Sequence, residues 1–380
     1  MKFKIHCIRK LSISDFQLTA RMSKRQKMSF FYFEDLPDEI LLKILSLLDI
    51  KEVLQCGQVS KRLRAVSNDQ SLWLKLNLFE REVPYGLIEK AVKNGCEYLN
   101  LGFSVVNGGK KSEVPWKLKY LEISDDPLRA MEVPKGVLEN CHFLQKLAVD
   151  NLKLNSEDIE HICQNGETLE ILSFEGCNIG WRNKTELITK LFTKCQKLTE
   201  LNVKQSFGSS CTFGYNMLDD PHICALVDNL TPNILKLQLG FQDCVEDKHV
   251  NTLVGRCQNI TELDLSYTSI TNDSMKSIIK HLNSLEKLDV CNTRVDFSML
   301  FQMKSIPTLK VLRFGQYREN LENYTEKIKN LKLQLPHVNI NEEYLDIACP
   351  KKSVNGSIDK DWFWEIRSKQ QDLFTRGSFY

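Results

Sequence analysis

Apolar residues recur along most of the chain in one frame, in which two leucine-like residues three apart are followed, after one polar position, by a third. The frame returns as LKYLEI at 118–123, LQKLAV at 144–149, ITELDL at 260–265 and LEKLDV at 285–290, among others. Its middle apolar positions are Leu99, Leu121, Leu147, Leu172, Leu201, Leu237, Leu263, Leu288, Leu312 and Val338. The alternation at the end of each frame predicts a short strand with one buried face.

The intervals between these positions indicate a repeat architecture. They are 22, 26, 25, 29, 36, 26, 25, 24 and 26 residues, mostly within the ~20–29 residues of leucine-rich repeats. Between frames, the stretch from Thr271 carries Met275, Ile278, Ile279 and Leu282 at helical spacing. Because one such unit cannot bury its own apolar face, we predict an α/β leucine-rich-repeat solenoid of about ten repeats, with a curved parallel sheet inside and helices outside.

A different pattern precedes the repeats. Pro37 and the acids Asp38 and Glu39 suit a first helical turn. An apolar stripe follows at Ile40, Leu41, Ile44, Leu45 and Leu48. Asp49 with Glu52 predicts a capping box that starts a second helix. A third helix would carry Val59, Leu63 and Val66, with Trp73 closing a small all-α three-helix unit.

This unit of about forty residues is too small to bury so many large apolar side chains. Some of them are therefore expected to stay exposed as a docking patch. The alternative is that they pack on the first repeat.

Composition and charge narrow the function classes. The chain of 380 residues is 42% hydrophobic and 26% charged, with a formal net charge of +2. Residues 1–28 contain eight Lys or Arg against one acid, so the remainder is slightly acidic, and we expect no nucleic-acid partner. Without an apolar run of ~20 residues we expect no membrane association, and we predict a location in the cytoplasm, the nucleus or both.

The thirteen cysteines fit the repeat frame rather than a metal site. Cys141, Cys195 and Cys257 each lie three residues before the first apolar residue of a frame, and Cys177 follows a strand. No C-x-x-C pair of the kind that binds zinc occurs. We therefore predict buried thiols, no metal site, no catalytic residues and no cofactor.

Residues 99–348 resemble the cysteine-containing class of leucine-rich repeats, and LPDEILLKILSLLD with VSKRLRAVSNDQSLW resembles an F-box. F-box first and repeats after is the order of the F-box/leucine-rich-repeat family, the substrate receptors of SCF-type cullin–RING ubiquitin ligases. The resemblance implies contact with the adaptor subunit of the ligase, and through it with the cullin, by Leu36, Pro37, Ile40, Leu41, Ile44, Leu45, Val59, Leu63 and Trp73. This sequence departs from the family at Ser60, where Cys is frequent, and at Leu63, where Trp is frequent.

The domain boundaries follow from these patterns. We predict a basic extension at 1–32, the F-box at 33–78, the solenoid at 79–348 with an insertion near 204–220, and a tail at 349–380. The aromatic residues of the tail would cap the last repeat or fold toward the concave face.

The repeats are predicted to bind a protein substrate of unknown identity, because the polar residues that flank the strand leucines alternate in charge. The candidate substrate-binding residues are Phe207, Phe213, Tyr215, Glu262, Asp264, Asp289 and Arg313. Two other readings stay open: a non-catalytic leucine-rich-repeat scaffold, and an F-box protein with a non-proteolytic role. The sequence contains no phosphate-binding glycine loop or nucleophile elbow that would indicate an enzyme.

Overall fold

The computed structural model describes residues 36–126, 129, 131–179, 183–205, 218–315 and 321–340. They divide into two compact units. The first contains the described residues up to Leu76 together with Glu89–Cys96, and the second contains Asn77–Ile88 and the described residues from Glu97 onward. The predicted extension at 1–32, the tail at 349–380 and the candidates Phe207, Phe213 and Tyr215 lie outside the described residues.

Three short helices open the first unit. Their bounds are α1 Asp38–Leu45, α2 Ile50–Cys56 and α3 Lys61–Ser67, followed by a 3-10 turn at Gln70–Leu72. The predicted capping box is confirmed, because Glu52 N donates to Asp49 Oδ1 at 3.0 Å and Asp49 N donates to Glu52 Oε2 at 3.1 Å. Each bond satisfies an N–H group that the helix itself leaves without a partner.

Short strands and helices then alternate. The strands are β1 Lys75–Asn77, β2 Glu82–Pro84, β3 Tyr98–Asn100, β4 Val105–Asn107, β5 Tyr120–Glu122, β6 Lys146–Ala148, β7 Lys153–Leu154, β8 Ile171–Ser173, β9 Asn178–Ile179, β10 Glu200–Asn202, β11 Lys236–Gln238, β12 Glu262–Asp264, β13 Lys287–Asp289, β14 Val311–Arg313 and β15 Asn339–Ile340. The helices are α4 Tyr85–Lys93, α5 Ser156–Cys163, α6 Lys184–Lys194, α7 Asp220–Asn229, α8 Asp247–Arg256, α9 Asn272–His281, α10 Phe297–Leu300 and α11 Leu321–Gln334. Further 3-10 turns lie at Leu138–Asn140 and Phe301–Ser305.

The second unit is built on one parallel sheet in which β3, β5, β6, β8 and β10 to β15 pair in chain order. The middle leucines of the frames lie directly opposite one another, as in Leu99 with Leu121 and Leu263 with Leu288. From Leu99 to Leu312 each of them is at most 2% exposed. Helices α5 to α9 contact one another in sequence. The predicted leucine-rich-repeat fold is confirmed.

The helix predicted after Thr271 is present as α9, with Met275 and Ile278 fully buried. The helical layer is interrupted earlier in the chain. Between β3 and β5 the described residues form no α-helix, and between β5 and β6 they form only the 3-10 turn Leu138–Asn140. Gly108, Gly109 and Pro115 in the first of these stretches disfavour a helix.

The register of the last repeat corrects the sequence prediction. Ile340, not Val338, lies opposite Leu312, and Asn339 N donates to Lys310 O at 2.7 Å. Val338 instead belongs to a turn in which its N–H donates to Leu335 O at 3.0 Å. Val338 and Ile340 share the alternation of apolar residues, so the pattern could not decide between them.

The turn that ends a strand recurs with a left-handed residue four positions after the middle leucine. Phe103, Asn151, Phe241, Tyr267 and Asn292 have φ values of 57°, 59°, 61°, 54° and 52°. Each N–H donates to a carbonyl of the next repeat, for example Tyr267 N to Cys291 O at 2.8 Å. This backbone region costs a residue other than glycine about 1–2 kcal/mol, so pairing with the next repeat stabilises a conformation that an isolated repeat would avoid.

The repeats are also joined at the start of their helices. In α8, the Asp247 carboxylate accepts hydrogen bonds from Thr271 N at 2.9 Å, Thr271 Oγ1 at 2.7 Å and Ser274 N at 3.1 Å. Burial acts to raise the pKa of Asp247, but the hydrogen bonds from Ser274 and Thr271 outweigh it and hold the pKa below its usual value. Asp247 therefore anchors the N-terminus of α9 from the preceding repeat.

The predicted burial of the repeat-frame cysteines is confirmed. Cys141, Cys177, Cys195 and Cys257 are at most 1% exposed. Burial raises the pKa of Cys195 to about 12 and the pKa of Cys257 to about 11. Within the described ranges, the helices are too short or too polar to cross a bilayer.

We predict that Asp247→Asn lowers the free energy of unfolding by about 1–3 kcal/mol at pH 7, because charge-assisted hydrogen bonds to α9 are lost. Since the folded-state pKa of Asp247 is depressed, its contribution is present above the unfolded pKa of about 3.9 and is lost as the pH falls through the folded pKa. The gap between wild type and variant should therefore narrow toward acid pH in urea unfolding. Asp273→Asn is the matched control, because the Asp273 side chain is 67% exposed. An equal loss of unfolding free energy in the control would contradict the anchoring role of Asp247.

We also predict that iodoacetamide at pH 8.5 leaves Cys195 and Cys257 unlabelled in the native protein and labels them after unfolding, because the thiolate is the reactive species. Peptide mass spectrometry over time would measure this. Cys224 is partly exposed and should react before either. Labelling of Cys195 or Cys257 ahead of Cys224 in folded protein would show that burial does not protect them.

Candidate functional site

Helix α1 has two apolar faces. Leu41 and Leu45 point inward and are each 1% exposed, whereas Ile40 is 44% exposed. Leu47, seven residues after Ile40, is 62% exposed, and Ile44 between them is half-buried. Residues four apart share one side of a helix, and Leu47 follows in the turn after α1, where its N–H donates to Ile44 O at 3.2 Å. Ile40, Ile44 and Leu47 are the outward apolar stripe.

The inward face builds the core of the three-helix unit. Its buried members are Leu41, Leu45, Val53, Leu63 and Val66. Partly buried residues, among them Leu36, Leu48 and Leu72, pack around this core. The outward stripe is not among these residues, so we expect the unit to fold without Ile40 or Leu47.

The loop before α3 and the turn after it complete the unit. Ser60 caps α3, since its Oγ accepts the N–H of Leu63 at 3.1 Å. Val59 lies before this cap and is 67% exposed, which corrects the prediction that it belongs to the third helix. Trp73 is fully buried, and its Nε1 donates to Ser67 O at 2.7 Å.

The second candidate surface is the row of charged residues that flank the buried leucines on β10 to β14. Lys236 Nζ lies 3.3 Å from Glu200 Oε1 and 3.8 Å from Glu262 Oε1. Lys287 Nζ lies 3.4 Å from the same Glu262 oxygen. Positive and negative groups therefore alternate from strand to strand, and each neutralises its neighbour.

Four of the predicted substrate-binding residues come together on these strands. Asp264 on β12 lies opposite Asp289 on β13, which lies opposite Arg313 on β14. Lys204 Nζ donates to Asp264 Oδ2 at 2.8 Å, and Arg313 Nη1 lies 3.7 Å from Asp289 Oδ2. Burial, with the nearby Asp264 charge, raises the pKa of Asp289. Glu262 adjoins this group on β12. The charged side chains of this surface are therefore close together, and their positive and negative charges nearly balance.

One further cluster escaped the sequence patterns because its histidine lies on α8, one repeat after the α7 residues that it meets. Asp220, Cys224 and His249 bring a carboxylate oxygen, Sγ and an imidazole nitrogen within 4.8 Å of one another. His249 Nε2 faces Asp220 Oδ1 at 3.1 Å. In composition the cluster could be a metal site or a catalytic triad.

The hydrogen bonds argue against both roles. His249 Nδ1 accepts the N–H of Glu246 at 3.0 Å, so the proton of the neutral ring lies on Nε2. That nitrogen then has no lone pair for a metal or for the Cys224 proton. The Lys248 ammonium is paired with Asp220, and burial raises the pKa of the Cys224 thiol. His249 caps the start of α8, and Asp220 is the ion-pair partner of Lys248.

Comparison with known proteins agrees with this architecture. A family model described as "F-box-like" matches residues 33–78, and one described as "SKP2 LRR domain" matches residues 86–371, well over half of the chain. The chain belongs to the F-box/leucine-rich-repeat family.

Individual relatives are more distant. F-box only protein 15 of Bos taurus is 31% identical over 90 residues, which are 23% of this chain and 18% of that protein. This chain therefore matches less than a fifth of the length of that relative. Among solved structures, Leiomodin-1 Actin-Binding Site 2 (ABS2) is 16% identical, with 51% of this chain and 96% of that chain covered and a TM-score of 0.27.

The predicted contact residues of the F-box divide between its surface and its interior. Leu41, Leu45, Leu63 and Trp73 are interior residues, at most 8% exposed, and their side chains are not available at the surface. Leu36, Pro37, Ile40, Ile44 and Val59 are at least partly exposed and stay predicted contacts. Leu47, in the turn after α1, is also exposed and was not among the predicted contacts. The hydrophobic stripe alone could not separate the two faces, because both are apolar.

We predict that Leu41→Ala lowers the free energy of unfolding of the F-box by about 2–5 kcal/mol, because it leaves a cavity in the core. Ile40→Ala should change it by no more than about 0.5 kcal/mol, since the side chain is at the surface. Urea unfolding and hydrogen exchange of the α1 amides would measure both. Equal losses for the two variants would show that α1 does not have separate inward and outward faces.

Proposed function

We propose that this protein is the substrate-recognition subunit of an SCF-type E3 ubiquitin ligase. Its F-box would dock on the adaptor subunit and, through it, on the cullin, while the leucine-rich repeats bind a protein substrate. The observation that carries the proposal is the outward stripe of Ile40 and Ile44 on α1 and Leu47 in the turn after it, beside a core that does not include them.

Physical chemistry supports docking at this stripe. Leu47 and Val59 are more than three-fifths exposed, and removing apolar surface from water contributes roughly 25 cal/mol per Å². An amphipathic helix that lays its apolar face in a groove of a partner is a recurrent mode of recognition. Docking in this way would use the outward face of α1 without disturbing the inward face.

The repeats supply a surface suited to a protein rather than to nucleic acid. The row from Glu200 to Lys287 alternates in sign and is paired strand by strand. Such a surface has no uniform positive field to attract a phosphate backbone. Glu262, Asp264, Asp289 and Arg313 stay our candidates for substrate contact.

The mechanism would involve no chemistry by this chain. Holding a substrate on the repeats and the ligase on the F-box raises the local concentration of the substrate near the ubiquitin-loaded enzyme. We propose the cytoplasm, the nucleus or both as the place where this occurs.

The test is a pull-down of the tagged full-length protein from cells, probed for the adaptor and the cullin. Wild type should recover both subunits, and the Ile40→Asp, Leu47→Asp double variant should recover neither, because two charges would be buried at the contact. Leu333→Asp is the matched control, since Leu333 is 72% exposed on α11 in the repeat unit. It should behave as wild type.

Folded wild-type protein that recovers neither subunit would overturn the proposal and favour a leucine-rich-repeat scaffold. Recovery of both subunits without any increase in ubiquitinated proteins on overexpression would favour an F-box protein with a non-proteolytic role. Equal recovery by wild type and the double variant would place adaptor contact elsewhere than the stripe.

A further inference from the structure

One arginine ties the third helix of the F-box to the start of the first. Arg62 Nε donates to Asp38 Oδ1 at 2.9 Å, and Arg62 Nη2 donates both to the same oxygen and to Leu36 O at 2.6 Å. One guanidinium therefore holds a side chain 24 residues away and a main-chain carbonyl 26 residues away. The rigid fork of arginine can hold two acceptors in a fixed geometry, which a lysine ammonium cannot do.

The segment that Arg62 holds determines where α1 begins. Pro37 is the N-cap of α1, and it offers no side-chain hydrogen bond to the helix. Its carbonyl accepts the N–H groups of Ile40 and Leu41, both at 3.1 Å. The position of the backbone at 36–38 therefore sets the direction of the first turn, and with it the direction of Ile40.

The exposure of the pair indicates what it contributes. The side chains of Arg62 and Asp38 are 42% and 59% exposed, and exposed ion pairs stabilise a fold only weakly. Restraining a surface segment in its bound geometry has a different effect, since it removes part of the ordering cost from the binding step. The contacts of Arg62 are therefore expected to contribute more to the affinity for a partner than to the free energy of unfolding.

We propose that Arg62 is a positioning residue for adaptor docking: through Asp38 and Leu36 O it presets the leading segment of α1, so that Leu36, Pro37 and Ile40 meet the adaptor already ordered. This inference rests on the function proposed above. It assigns to Arg62 an action through other residues rather than a contact with the adaptor.

The experiment measures the affinity of full-length protein for purified adaptor subunit by calorimetry. The variants are Arg62→Ala, Asp38→Ala, the double variant and Lys61→Ala, the last a neighbouring exposed cation on α3 that serves as control. Arg62→Ala should weaken binding about tenfold, and the double variant should bind no more weakly than Arg62→Ala, because residues that act as one unit are not additive. Lys61→Ala should bind as wild type.

Two further readouts separate positioning from a loss of fold. The melting temperature of Arg62→Ala should stay within about 3 °C of wild type, as expected for an exposed pair. Hydrogen exchange at the amides of Ile40 and Leu41 in the free protein should become faster, while the amides of α2 keep their protection.

Each alternative outcome has a distinct meaning. If the wild type binds the adaptor and Arg62→Ala binds it with the same affinity, the positioning role is overturned and the proposed function is unaffected. If the fold-changes in affinity of the two single variants multiply in the double variant, and hydrogen exchange at Ile40 is unchanged, Arg62 contacts the adaptor directly. That result also overturns the positioning role. Failure of wild type to bind the adaptor overturns both proposals.

Discussion

The second unit depends on the in-register pairing of its parallel strands. Each strand has at most three residues and could not persist alone. Pairing places each middle leucine opposite the next, from Leu99 to Leu312, and creates a continuous buried row. The same pairing holds the strained turns, because the N–H of residues such as Tyr267 finds its acceptor only in the next repeat. Local conformation here is a consequence of stacking.

The F-box exposes apolar side chains while it keeps a buried core. A unit of this size has room inside for one face of α1, and Leu41 and Leu45 occupy it. The other face is left at the surface next to polar residues such as Lys43 and Ser46. Since the inner face alone secures the fold, the outer face is available for a partner, and a restraint such as Arg62 can act on its geometry with little effect on stability.

A single hydrogen bond can show whether a cluster of reactive side chains is able to bind a metal or act as a nucleophile site. Asp220, Cys224 and His249 have the side chains of a metal or nucleophile site. The N–H of Glu246 directed at His249 Nδ1 fixes the proton on Nε2 and removes both options. The charge row on β10 to β14 is a similar case, since the sequence shows separate charges and the fold pairs them into a nearly neutral surface.

The repeat fold, the three-helix unit, the capping box at Asp49 and the buried cysteines could all be predicted from the amino-acid sequence, because each depends on periodicity or on contacts between residues close in the chain. The packing of the folded chain was needed to show which apolar residues of α1 lie inside, that Ile340 rather than Val338 pairs with Leu312, and that Arg62 reaches Asp38. These three cases have one cause. A local sequence pattern cannot distinguish neighbouring positions that have the same hydrophobicity or the same charge. They differ only after elements distant in the chain pack against one of them.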